Sequence, residues 1–189
     1  MRMQWIAIAV LVAVVLYVIV VFNRLVRLRN QTREGWSGID VQLRRRTDLI
    51  PNLVDAVKGY AAHERALFEQ IAALRASSLA ADNVSKQEAA ERALKGALSR
   101  LLVLAESYPQ LKANENFLKL QEQLAEIEDQ LQMARRYYNG SARNLNVAVQ
   151  SFPSVLIARP LGFREAAFFE LDDREAAQAP KISLSRDKP

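Results

Sequence analysis

A chain of 189 residues with no cysteine and one histidine leaves little room for site chemistry. Disulfides and thiolate metal sites are excluded outright, and any His-based site would rest on His63 alone. The net charge of +5 and pI near 9.7 suggest nucleic acid at first, but residues 1–58 hold nine Arg or Lys against four acids, while the remaining 17 basic and 17 acidic residues cancel. The excess sits at one end, and no basic face with interleaved aromatics marks a nucleic-acid surface.

Met3 to Phe22 runs about twenty residues without a charge, roughly 30 Å as a helix, which matches a bilayer's hydrocarbon core. Trp5, Leu11, Leu16 and Phe22 mark this anchor, with the Trp5 ring suited to the interface. A cleaved signal peptide has a shorter apolar core and small residues at its cleavage point, whereas this run ends in Phe22, Asn23, Arg24 and Leu25. Arg24, Arg27, Arg29 and Arg33 follow it and are expected at lipid headgroups, each gaining about 1 kcal/mol near an anionic leaflet. Their excess over Arg2 predicts a single-pass membrane protein, N-terminus outside and the rest in the cytoplasm.

Residues 24–153 leave about 130 positions for one helical domain. Leu25, Leu28, Trp36, Ile39, Leu43, Ile50, Val54, Val57, Ala61, Phe68 and Ile71 recur at threes and fours, predicting one helix over about 24–76, kinked at Pro51. Straight, it reaches roughly 80 Å and places Arg44, Arg45 and Arg46 about 33 Å from the lipid. Ser77–Asn83 reads as the membrane-distal linker, with Ser78 in it, and Ser85 with Glu88 as a capping box. A second helix is expected over about 85–108, ended by Pro109. The third, over about 115–151, keeps a strict repeat from Phe117 through Leu131 and Tyr138 to Phe152, coiled-coil-like over about five heptads. The fold class is all-α: a transmembrane helix over 1–23 continuing into an antiparallel up-and-down bundle, three long helices plus a short C-terminal element. Residues 154–189 are partly irregular, with a short helix expected on Phe163, Phe168 and Phe169 and a strand-like Lys181–Leu184.

The runs YVIVVFNRLVRLRNQTREGWSGIDVQLRRRTDLIPNLVDAVKGYAAHE, LAESYPQLKANENFLKLQEQL and ARRYYN resemble the LemA family. The resemblance implies a bacterial membrane protein with one N-terminal helix and a cytoplasmic helical bundle. Some members of that family are described alongside membrane-bound zinc metallopeptidases, as modulators. It brings no catalytic residues with it.

His63 and Glu64 begin a zincin-like H-E, but Leu67 stands where the second histidine is required. Glu122, Glu126, Glu128 and Asp129 read as a solvated face, because a di-iron bundle needs further histidines. No phosphate-binding glycine loop or nucleophile elbow occurs, so no cofactor, no metal and no enzyme activity is expected. Two stretches suggest docking. One is Arg44, Arg45 and Arg46 with Asp48 and Pro51, unless Asp40–Arg44 pairing along the helix explains the charges. The other is Arg135, Arg136 and Tyr137, where one tyrosine fills the core and its neighbour is left outside. The expected function is a non-catalytic scaffold that binds membrane lipid and another membrane protein. The alternatives are a self-assembling homo-oligomer and, last, an enzyme relying on His63.

Overall fold

The computed structural model describes residues 2–170, and all regular structure among them is helical. Helix α1 (Arg2–Lys58) runs 57 residues without a break, about 85 Å at the helical rise. Among the described residues it is the one helix long and apolar enough to cross a membrane. From Met3 to Phe22 every side chain is exposed except Val21, unlike the core helix of a soluble protein.

Gly35, Gly38 and Pro51 lie inside α1 without ending it. Pro51 has no N–H for the Thr47 carbonyl four residues back. That carbonyl accepts instead from Arg75 Nε, at 2.9 Å, a side chain of the next helix. The gap in the backbone ladder is therefore filled from outside, and it ties two helices together.

The first helix ends at Lys58, well short of Ala76. At Gly59 the chain turns, with the Tyr60 and Ala61 amides donating back to the Val57 carbonyl at 3.0 Å. Helix α2 (Arg65–Leu79) then folds back along α1, so that Ser78 returns to the level of Arg46. Periodicity hid this turn because Ala61, Phe68 and Ile71 are all buried in the same core as Val57. The distal end is thus residues 59–64, and α1 extends about 50 Å beyond Asn23. Ser78 is 4% exposed at a helix contact, not on the distal loop.

Helix α3 (Val84–Glu106) packs on α2. Asn83 caps it, accepting from the Lys86 amide at 2.9 Å in the place expected for a Ser85–Glu88 box. After the one-turn α4 (Pro109–Lys112), Asn114 caps helix α5 (Glu115–Gln150), which returns alongside α1 for its whole length. The distal half is a four-helix bundle around Ile50, Leu53, Leu94, Leu101 and Phe117. The proximal half is the α1–α5 pair alone. Gly35 lets the two axes approach: a Cβ there would stand 2.9 Å from the Tyr138 backbone.

The third side of that pair is covered by the chain after α5. A four-residue helix α6 (Val155–Ala158) turns it, Gly162 adopts a φ of 74° that suits glycine, and residues 163–170 run extended along the groove. The helix expected on Phe163, Phe168 and Phe169 is therefore an extended strap. Lys181–Leu184 lies outside the described residues.

Candidate functional site

Three arrangements stand out from ordinary helix packing. The first is a buried ion network at mid-height. Arg46 is 1% exposed and Glu91 0%, and Arg46 Nη1 donates to Glu91 Oε2 at 3.0 Å. Arg46 Nε pairs with Glu128 Oε1 at 3.0 Å. Ser78 Oγ donates to Glu91 Oε1, and Gln87 Nε2 reaches the same oxygen at 3.1 Å. Side chains of α1, α2, α3 and α5 meet there. Removing one charge from such a cluster leaves its partner buried and uncompensated.

The second is the strap. Asn146 Nδ2 donates to the Ala166 carbonyl at 2.9 Å while its Oδ1 accepts from the Ala166 amide at 2.8 Å. Asn139 repeats the pattern on Phe169, at 3.1 and 2.9 Å. The two asparagines are seven residues apart on a helix, about 10.5 Å, and their targets three apart on an extended chain, about 10 Å. The spacings match, and each amide acts as one rung of a β-ladder. Phe163 and Phe169 fill the groove, with Phe169 against Trp36 at 5.8 Å. Burial pushes the Tyr138 phenol above its ordinary value, and it donates to the Ala167 carbonyl at 2.7 Å.

The third is a surface stripe on α5. Met133, Tyr137 and Val147 are 54%, 51% and 55% exposed, and with Gly140 they follow the three-four spacing of a helix contact. A Cβ on Gly140 would meet nothing, so the face is open there.

The sequence-derived candidates scatter over these features. Among Arg44, Arg45 and Arg46, the last is not available to a partner, because it is enclosed in the ion network. Arg44 is exposed and pairs with Asp40 at 3.0 Å, the intrahelical alternative. Arg45 and Asp48 line an open groove with Gln123 and Glu126. Pro51 is exposed on α1, where its structural effect is the freed Thr47 carbonyl. Arg135 is half-buried with its guanidinium 5.6 Å over the Phe169 ring; Arg136 is exposed, and Tyr137 is half exposed with one ring edge beside Gly35 of α1. Of the headgroup arginines, Arg24, Arg27 and Arg33 are exposed; Arg29 is half-buried and sits 4.9 Å over the Phe163 ring. Trp5, Leu11, Leu16 and Phe22 are all exposed on the apolar part of α1. His63 and Glu64 lie in the distal turn and not on a helix face, and Glu128 leaves the expected solvated row to pair with Arg46. Among the described residues no group of three or more His, Cys, Asp or Glu could hold a metal ion.

The network and the asparagine-held strap are not legible in the sequence, though the network leaves a signal. Gln87 and Glu91 stand on the same stripe as Leu94, Leu98, Leu101 and Ala105, and Arg46 on that of Ile39, Leu43, Ile50 and Leu53. A charge on an apolar stripe in two helices points to a buried pair. The model of the LemA family matches residues 35–184, which spans most of both halves of the bundle. The chain belongs to the LemA family. Among curated relatives it is 25% identical to Protein LemA of Metamycoplasma hominis, over 86% of this chain and 74% of the relative. Magnetosome protein MamQ of Magnetospirillum gryphiswaldense is 26% identical over 92% of this chain and 72% of its own length. Magnetosome protein MamQ 2 of Paramagnetospirillum magneticum is 24% identical over 86% and 68%. The LemA-family match begins at Gly35, which stands against Tyr138 of α5, and so excludes the apolar run.

Proposed function

We propose that this LemA-family chain is a non-catalytic scaffold, anchored in a bacterial inner membrane with its bundle in the cytoplasm, that binds or modulates another membrane protein. A membrane metallopeptidase is the partner class favoured by the resemblance. The observation that carries the reading is the unbroken α1. Its lipid-length apolar run continues as one helix into the packed core, so any partner docked on the bundle is held at a set height over the bilayer. The docking face is the α5 stripe of Met133, Tyr137 and Val147, with Arg136 beside it. Apolar residues at helical spacing with a glycine among them suit a partner helix.

A second reading rests on the same stripe: two copies pair through it, giving a homo-oligomer that organises the membrane. One experiment separates the two. A photo-crosslinking residue replaces Tyr137, which is half exposed, and another replaces Val103 on α3 as a control. Irradiation of native membranes is expected to give an adduct with a second membrane protein at 137 and none at 103. An adduct of twice the chain's own mass selects the homo-oligomer. No adduct at 137 overturns both.

A further inference from the structure

Helix α5 returns to the level at which the apolar run ends. Val21 and Leu25 are buried with Leu145, Ala148, Val149 and Ala158, and the Phe22 ring meets Phe163 edge to face at 5.9 Å. The corner between α5 and the strap, residues 151–162, is therefore packed against the last turns of that run. Its inward side is Ala158; its outward side is not what a water-facing turn exposes. Phe152, Leu156 and Leu161 are 80%, 65% and 50% exposed. The turn at the other end of the molecule exposes His63 and Glu64, and its one large apolar side chain, Tyr60, is 39% exposed. Charge divides along the same axis. No Asp or Glu occurs between Gln130 and Arg164, and the corner's one charged side chain is Arg159, exposed.

We propose that this corner is a second membrane contact, an interfacial anchor that inserts Phe152, Leu156 and Leu161 at the boundary between headgroups and acyl chains, with Arg159 on anionic headgroups. The inference rests on the reading of α1 as a membrane helix. Its occupant is the lipid surface because the corner is continuous with the lipid-facing end of α1, and because large apolar side chains with a basic and no acidic neighbour fit an anionic leaflet. A single helix leaves a bundle free to spin about its axis. A contact on the α5 side removes that freedom, so the α5 stripe faces one direction within the membrane plane.

The absence of native cysteine makes the test direct. Full-length chains carrying one substitution each, Leu156→Cys, Val15→Cys or His63→Cys, are spin-labelled and reconstituted in vesicles of phosphatidylcholine and phosphatidylglycerol. Collision with apolar oxygen and with a water-soluble nickel chelate is then measured. The expected result is oxygen-favoured relaxation at 156, shallower than at 15 and inverted relative to 63. Oxygen-favoured relaxation at 15 with nickel-favoured relaxation at 156 would overturn the second contact and leave the anchor standing. A label at 156 shielded from both reagents would mean a protein neighbour covers the corner, which also overturns it. Nickel-favoured relaxation at 15 would remove the anchor itself, and this proposal with it.

Discussion

Arg46 and Gly35 show how much a single side chain decides in so thin a bundle. Arg46 has two carboxylate partners from different helices, and its replacement by alanine leaves the fully buried Glu91 without its cation. Removing one partner of a buried pair costs about 3–5 kcal/mol. Arg46→Ala is therefore expected to lower the chemical-denaturation midpoint of detergent-solubilised protein strongly, whereas Arg46→Met with Glu91→Leu recovers most of the loss. If the single and double variants lose equally, the network is not a coupled unit. Gly35 and Gly38, three residues apart, are predicted to diverge under the same substitution. A Cβ at 35 meets the Tyr138 backbone at 2.9 Å, so Gly35→Ala must push the helices apart at a cost of about 1–3 kcal/mol. At 38 the nearest atom is Ala134 Cβ at 3.9 Å, and Gly38→Ala gains up to about 1 kcal/mol of helix propensity. Thermal melts of the two variants should move in opposite directions.

The proximal half of the molecule is two helices and a strap, and two helices alone leave a face open. Closing it falls to Asn139 and Asn146, which together make four hydrogen bonds to Ala166 and Phe169. At about 1 kcal/mol for each bond, the Asn139→Ala, Asn146→Ala double variant should release the strap. In a Trp5→Phe background Trp36, beside Phe169, reports it: its fluorescence is expected to shift to the red while the helical circular dichroism is kept. An unchanged Trp36 spectrum would mean the phenylalanines hold the strap without the amides.

The strap also marks where the sequence stopped being legible. The helical class and the long α5 could be read because threes and fours recur over many turns, and one-sided burial forces that repeat. The apolar run could be read from length alone. The α1–α2 turn could not, because Ala61 is buried within it and keeps the repeat in phase. Gly59 was the local sign. The strap could not, because an extended segment held by side-chain amides has no period of its own, and its partners lie twenty and thirty residues away. The docking candidates divided for a similar reason. Three consecutive arginines look alike in sequence, yet a helix turns about 100° per residue, so Arg44 and Arg45 stay outside while Arg46 enters the core.

At the scale of the whole molecule, the charges that cancel in sequence are separated in space. Acidic side chains are absent from residues 1–33 and 130–164, the stretches that meet at the apolar end, and Glu115, Glu122 and Glu126 stand on the distal part of α5. That polarity agrees with an anchor at one end and water at the other, and with arginines left on the cytoplasmic side. The most direct test of a spanning α1 with a cytoplasmic bundle is labelling with a membrane-impermeant maleimide at Gln4→Cys and, in a separate chain, at the exposed distal His63→Cys. The expected result is labelling of Gln4→Cys in intact spheroplasts and of His63→Cys only after lysis. Both sites labelled in intact spheroplasts, or both only after lysis, would contradict a crossing helix, and the scaffold proposed here would lose its membrane.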